Sequence, residues 1–237
     1  MKQYYKIAGL TVLMDSFGKT EEQARPYLIT ETENADVVIV SRREAFKFRH
    51  PEATDDLAEY LSTGSSFYRQ LINFGGIMLH SSAVVVDGYA YLFTAPCGTG
   101  KSTHTSLWLK KIGDKAFILN DDKPAIRFED NEFFVYGTPW SGKTSQNVNC
   151  RAKLGGICIL NRGDTNVIER VTGKTAIQGI FSQTLRPKST EYLDKVFYII
   201  EKLIATAPIW KLSCNMETEA ADVSYNAMSG ALQNNEV

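Results

Sequence analysis

The stretch APCGTGKST, residues 95–103, decides how the rest of the chain is read. A short apolar run, residues 89–94, leads into it, and residues 106–111 beyond it have helical character. Strand, glycine-rich turn and helix in that order form the setting that a phosphate-binding P-loop requires. Gly98 and Gly100 lack a Cβ, so the backbone there can take positive φ and approach an anion closely. The loop amides and the helix start at Lys101 point N–H groups and the positive end of the helix dipole at that anion. Lys101 supplies a mobile ammonium for the β and γ phosphates, and the Ser102 hydroxyl is a ligand for Mg²⁺. On this reading Cys97, Gly98, Thr99, Gly100, Lys101, Ser102 and Thr103 hold a nucleotide. Ala95 stands where the common pattern has glycine, and the plain alternative is a glycine-rich turn with a solvated lysine.

Composition narrows the classes that remain. Of 237 residues, 43% are hydrophobic and 22% charged, an ordinary globular balance and ample for a packed core. The net charge of −1 carries no long run of one sign, which argues against nucleic acid as a partner. Apolar residues 7–14 end at Asp15 without a cleavage pattern and read as a strand, and no stretch approaches a membrane span. Cys97, Cys150, Cys158 and Cys214 show neither metal spacing nor a disulfide framework, so a reduced, cytoplasmic protein is expected. Cys97 lies near a helix N-terminus, where a thiol pKa can fall, and reads as a spacer in the loop rather than a redox switch.

Two portions are expected, 1–62 and 63–237. The first is small and β-rich, with strands over 6–14 and 35–40, polar turns between them and a Pro-led joint over 51–56. Residues 57–61 and 67–74 carry helical spacing and end at Gly75-Gly76. The second portion opens on residues 82–86 and 89–93, two strand patterns separated by Asp87-Gly88, a strong two-residue hairpin signal. The strand feeding the glycine loop therefore has an antiparallel partner, and the sheet is expected to be mixed: an α/β, mixed-sheet P-loop fold. A helix ending near Gly113 and a strand over 116–119 complete a right-handed βαβ unit. If its two strands are neighbours, Asn120-Asp121-Asp122 arrives beside the loop, about 4.8 Å away across the sheet. A hairpin (125–128 with 133–136), a strand over 156–160 and helices near 175–181, 191–206 and 218–228 follow, with a short strand over 209–212.

Adjacent carboxylates on extended chain point to opposite sides. One of Asp121 and Asp122 then serves Mg²⁺ while the other faces an acceptor hydroxyl as general base. His80, just ahead of the hairpin, has the chemistry to meet those carboxylates or a phosphoryl group, although a lone histidine at a strand edge is more often structural. His104 and His50 read as packing and loop residues. Gly137-Thr138-Pro139-Trp140-Ser141-Gly142-Lys143 is either a substrate loop with Lys143 reaching phosphate or a rigid turn with Trp140 in the core. Arg151 and Lys153 are surface cations or a source of positive charge for the transferred group.

Taken together, His80 before a hairpin, the loop APCGTGKST and Asn120-Asp121-Asp122 one crossover later resemble the catalytic domain of HPr kinase/phosphorylase, within the phosphoenolpyruvate carboxykinase-like P-loop group. The likeness spans roughly residues 77–212 and is nearest to HPr-kinase-like proteins found with peptide-modification systems, in which a GTPWSGK stretch also occurs. It implies Mg²⁺- and ATP-dependent phosphorylation of a serine-type hydroxyl on a peptide, protein or small molecule. His80 and Asp121 then match active-site groups, with Lys101 on the phosphates, and Ser102 and Asp122 take the metal. Thr103 stands where HPr kinase has glutamate, and its later Glu-x-Arg-Gly run is only echoed over 150–156, so neither phosphorolysis nor HPr as substrate is implied. A nucleotide-binding sensor or assembly module without phosphoryl transfer is the competing class, and a homo-oligomer is left open.

Overall fold

The structure is a computed structural model and describes residues 2–30 and 34–233. Glu31, Thr32 and Glu33, part of the expected turn stretch, lie outside the described residues. Ala8 and Gly9 take φ of 50° and 76°, which folds the first apolar stretch into a hairpin of β1 (Gln3–Ile7) and β2 (Leu10–Met14). The single strand expected over 6–14 is thereby corrected: the tight turn at Ala8-Gly9 splits it. Helix α1 (Gly18–Ala24) and the short strand β3 (Leu28–Ile29) follow where turns were expected. Strand β4 (Val37–Ile39) runs parallel to β2, giving a four-stranded sheet in the order β3-β1-β2-β4.

Two helices connect this sheet to the larger one, α2 (Arg43–Arg49) and α3 (Asp55–Leu71). Thr54 caps α3 by accepting from the Leu57 N–H at 3.2 Å, and Asp55 and Asp56 complement the helix dipole in the first turn. This helix runs without a break through position 62. Its Phe67, Tyr68 and Leu71 share one core with Tyr5, Ile7 and Val12 of the small sheet and with Trp140.

The larger sheet begins with β5 (Gly76–Met78), β6 (Ser81–Val86) and β7 (Tyr89–Thr94). Asp87 and Gly88 take φ of 50° and 82° between Val86 and Tyr89, the hairpin geometry the dipeptide predicts. After α4 (Lys101–Ile112) come β8 (Ala116–Asn120), β9 (Ala125–Glu129), β10 (Glu132–Tyr136) and the long β11 (Arg151–Arg162). The chain closes with β12 (Val167–Arg170), α5 (Gly173–Ser182), α6 (Thr190–Thr206), β13 (Ile209–Cys214) and α7 (Thr218–Gln233).

The strand order is β5-β9-β10-β11-β7-β6-β8, with β13 on β11 and β12 on β13. The mixed sheet holds, but β7 and β8 are not hydrogen-bonded neighbours: antiparallel β6 sits between them and pairs with both. The acid pair thus arrives two strand spacings from β7, about 10 Å rather than 4.8 Å. Arg151 and Lys153, at the start of β11, pair with Glu129 and Glu132, which identifies them as surface cations.

Side chains alternate across the sheet, and the two sets fall into separate cores. Val85, Leu92 and Ile157 pack with Ile200 and Leu203 of α6. Val84, Phe93 and Cys158 pack on the opposite face with Trp108 of α4 and Met228 of α7. The four cysteines are free thiols. Among the described residues no helix is long and apolar enough to cross a membrane.

Trp140 is fully buried, stacks on Phe67 at 5.0 Å and donates from its indole N–H to Thr63 Oγ1 at 3.1 Å. Residues 137–143 are thus anchored by a core aromatic. Trp140→Ala is expected to lower the free energy of unfolding by about 3–5 kcal/mol, read by urea denaturation. A loss under about 1 kcal/mol would show that the indole does not hold this loop to α3.

Candidate active site

The strand β7 ends at Thr94 and the chain turns through residues 95–100 into α4. Gly98 and Gly100 take φ of 79° and 117°, a region that L side chains rarely adopt, and a Cβ placed on either meets nothing within 4 Å. The loop is therefore open above its glycines. Its base is tied down by Arg162 at the end of β11, whose guanidinium donates to the Gly98 carbonyl. Lys101, 8% exposed, folds back to donate from Nζ to the carbonyls of Ala95 at 2.9 Å and Pro96 at 3.3 Å. Burial lowers its pKa, and the charge of Asp122 pulls it the other way.

Asn120 fixes the turn that follows β8. Its Oδ1 accepts from the N–H of Asp122 at 3.0 Å and of Lys123 at 2.7 Å, while its Nδ2 donates to the Thr138 carbonyl at 2.9 Å. The two carboxylates leave this turn toward different neighbours. Asp121 Oδ1 accepts from the Ser82 hydroxyl at 2.6 Å, and Ser82 in turn meets Thr105 Oγ1 of α4 at 2.8 Å. That chain of hydroxyls links the acid to the helix behind the glycine loop. Asp122 Oδ1 lies 3.3 Å from His80 Nε2, and its Oδ2 accepts from Tyr60 and Lys123. The other nitrogen of His80, Nδ1, is 3.1 Å from Gln183 Oε1.

Burial raises the Asp122 pKa, but the hydrogen bond from His80 and the Lys123 ammonium outweigh it, with Tyr60 adding to them. The net value falls below the unperturbed 3.8. A carboxyl depressed in the folded state stabilises the fold above its unfolded pKa and ceases to do so as pH falls through the folded one. Asp122→Ala is accordingly expected to cost about 3 kcal/mol at neutral pH, with the difference from the parent chain narrowing on acidification below about pH 4. A pH-independent difference in urea melts would refute this account of Asp122.

Gly98, Lys101, Ser102, Asp121, Asp122 and His80 together line one cleft of about 680 Å³. Cys97, Gly100 and Thr103 line it as well, whereas Thr99 does not. The opposite wall comes from the N-terminal helices: Lys19 of α1 and Thr54, Leu57, Tyr60 and Leu61 of α3 and its cap. Sequence reading gave no sign of that wall. Tyr60 also accepts from Lys123 Nζ at 3.0 Å and from the Gly142 N–H at 2.9 Å, so one phenol joins α3, the acid turn and residues 137–143. Lys143 lines the cleft too, which places the two readings of that loop side by side: Trp140 is core and Lys143 is rim. His104 is 3% exposed, packs 4.6 Å from Phe93, and is pulled down to about 4 by burial, in line with a packing residue.

No family model matches this chain, and no curated protein matches it. Among solved structures it is similar to the HPr(Ser) kinase/phosphatase from Coxiella burnetii. The identity is 10% and the TM-score 0.40, over 67% of this chain and 98% of that one.

The chemistry is read from the residues themselves. Among the described residues no group of three or more His, Cys, Asp or Glu side chains stands ready to hold a metal ion. Mg²⁺ asks for less than that, because it keeps several waters and takes one or two protein oxygens with the phosphates of its nucleotide. The Ser102 hydroxyl lines the cleft with no hydrogen bond to another described residue, and Asp122 is held ionised within the same cleft. A metal arriving with a nucleotide fits that pair.

Proposed function

We propose that this chain is a Mg²⁺- and ATP-dependent kinase that phosphorylates a serine-type hydroxyl of a peptide, protein or small molecule. The observation behind it is the single cleft that unites an open glycine loop, a lysine at its helix start and two carboxylates from the end of β8, two strands away. Open amides at positive-φ glycines favour an anion, and Lys101 is poised within the same loop to turn from the Ala95 carbonyl to a phosphate oxygen. Ser102 and Asp122 would hold Mg²⁺, which would supply positive charge to the phosphate oxygens when bound. His80, Lys123 and Tyr60 keep Asp122 ionised and oriented.

Asp121 has the complementary role. Its Oδ1 is fixed by Ser82, and the residue lines the cleft in which the acceptor would lie. In the reaction the acceptor oxygen forms a bond to the γ-phosphorus while the bond from that phosphorus to the β–γ bridging oxygen breaks. The hydroxyl proton passes to the Asp121 carboxylate and ADP leaves. Lys19, Leu57 and Leu61 then form the wall against which the acceptor lies. In this proposal the described parts of residues 1–62 serve as an acceptor platform for the catalytic portion, 63–237.

The test is incubation of the chain with γ-labelled ATP and Mg²⁺ against serine-containing peptides and free hydroxy amino acids, with mass spectrometry of the products. An 80 Da gain on an acceptor hydroxyl, absent without Mg²⁺, supports the kinase. Binding of ATP with no transfer to any acceptor favours the sensor or assembly module instead.

A further inference from the structure

A second cavity, of about 790 Å³, lies beside the small N-terminal sheet. Strands β2 and β4 are parallel neighbours, with Met14 opposite Ile39. Residues 15–17 and 40–42 run on from their carboxyl ends and line the cavity, the place where open sheets of parallel strands receive ligands. Helix α3 adds Glu59, which is 1% exposed. Its Oε2 accepts from the Ser41 hydroxyl, whereas its Oε1 has no hydrogen-bond partner among the described residues. Burial raises the Glu59 pKa and the charge of Asp15 adds to that, against the Ser41 hydroxyl, the Arg43 charge and the Phe17 N–H. A buried acceptor left without a donor opposes folding, and a ligand that brings a donor removes that opposition.

We propose that this cavity holds a basic side chain, arginine or lysine, of a polypeptide acceptor whose hydroxyl lies in the main cleft. Four carboxylates line the cavity against three cations, and one of those cations is engaged: Arg43 pairs with Glu44 at 3.3 Å. An entering anion would meet the buried Glu59, whereas a cation completes it with a charge-assisted hydrogen bond. A metal ion fits less well, because among the described residues no three His, Cys, Asp or Glu side chains gather to hold one. Arg43 already shows how an organic cation sits here, with its guanidinium 4.6 Å from the centroid of the half-exposed Phe17 ring. Position names the source of the cation. Glu59 and Tyr60 are consecutive on α3 but line different cavities, as do Phe17 and Lys19 at the start of α1. A helix with its side chains is about 10 Å across, a distance that about three or four residues of extended chain span. A peptide with its serine in the main cleft therefore brings a nearby side chain to Glu59. The inference rests on the kinase reading and adds a substrate class to it: a polypeptide with a basic residue near the hydroxyl, rather than a free hydroxy amino acid.

Two end-blocked alanine pentapeptides test this, one with arginine at its centre and one with citrulline, which has nearly the same shape but no charge. Each is titrated by NMR into the isotope-labelled full chain, without ATP. The arginine peptide is expected to bind about tenfold more tightly and to shift amide signals of residues 15–21 and 40–44. Glu59→Gln keeps an acceptor for Ser41 and turns the open oxygen into a donor, and should remove that preference. Glu21→Gln, a change at an exposed rim acid, should weaken the arginine peptide about threefold, so the test holds if Glu59→Gln does not fold. Equal affinity for the two peptides, shifts elsewhere on the chain, or unaltered preference in both variants overturns the assignment. With ATP and serine peptides, replacing arginine by citrulline at its best position should raise KM about tenfold at unchanged kcat. Indifference to that replacement at every position within six residues of the serine overturns the acceptor's role. Transfer to no acceptor at all overturns the kinase reading instead, and the titration still decides whether the cavity takes a basic side chain.

Discussion

Lys101→Met is expected to reduce phosphoryl transfer by about 10³-fold while leaving the melting temperature of the chain equal to or above that of the parent. The two halves of this result have separate causes. The loss follows from removing the ammonium that meets the phosphate oxygens as charge redistributes in the transition state. Single preorganised donors at such positions contribute about 10²–10³ in rate, and a full cation at transferring phosphates contributes toward the upper end or beyond. The retained stability follows from the folded state without nucleotide. Lys101 is nearly buried, its hydrogen-bond partners among the described residues are two neutral carbonyls, and burial outweighs the pull of Asp122 to lower its pKa below 10.5. A lysine depressed in this way opposes folding below its folded pKa, and the cost disappears as pH rises past the unfolded value. A methionine of similar length removes the cost and keeps the packing. Activity lost without stability lost marks a residue kept for chemistry. Coupled loss of both in thermal melts and transfer assays would make Lys101 a structural lysine.

Asp121→Asn is the second large effect. The amide oxygen still accepts from Ser82, so the link from β8 through Ser82 and Thr105 to α4 persists and the fold is retained. The variant lacks a carboxylate to take the acceptor proton, and transfer is expected to fall by about 10²–10⁴-fold. ATP affinity should change by no more than about threefold, because the proposed role of this acid is toward the acceptor and not the phosphates. Single-turnover transfer and calorimetric binding on the same preparation separate the two quantities. A non-catalytic nucleotide module would show no consequence beyond the small binding change. Asp122→Asn makes the informative contrast, since it should weaken Mg²⁺-dependent binding as well as transfer.

Much of the larger portion was legible because its signals are local. Asp87-Gly88 dictates a hairpin through the backbone conformations it favours, and both residues adopt positive φ. Gly98 and Gly100 mark the loop for the same reason, and the stretch after them starts a helix at Lys101 as expected. The position of β8 was not legible. A helix between two strands says that they run parallel, but not that β6 would slip between them.

The wall of the cleft opposite the loop was hidden for a different reason. Tyr60 meets Asp122 across 62 residues of chain, and the sequence around it reads as an ordinary amphipathic helix. Lys19 sits in a stretch whose polar composition suggests turns, yet α1 forms there and docks on residues 142–145 through Gln23 and Lys19. Tertiary contact overrides weak local preference in such short helices. Lys123 had a signal, its adjacency to the acid pair, but a lysine after two aspartates reads equally well as a solvated turn.

The most direct measurement is a crystal structure of the chain with Mg²⁺ and a non-hydrolysable ATP analogue. The β-phosphate is expected over the amides of residues 98–101, with the γ-phosphate facing Asp121 across the main cleft. A triphosphate bound elsewhere, or one whose γ-phosphate points away from Asp121, would contradict it.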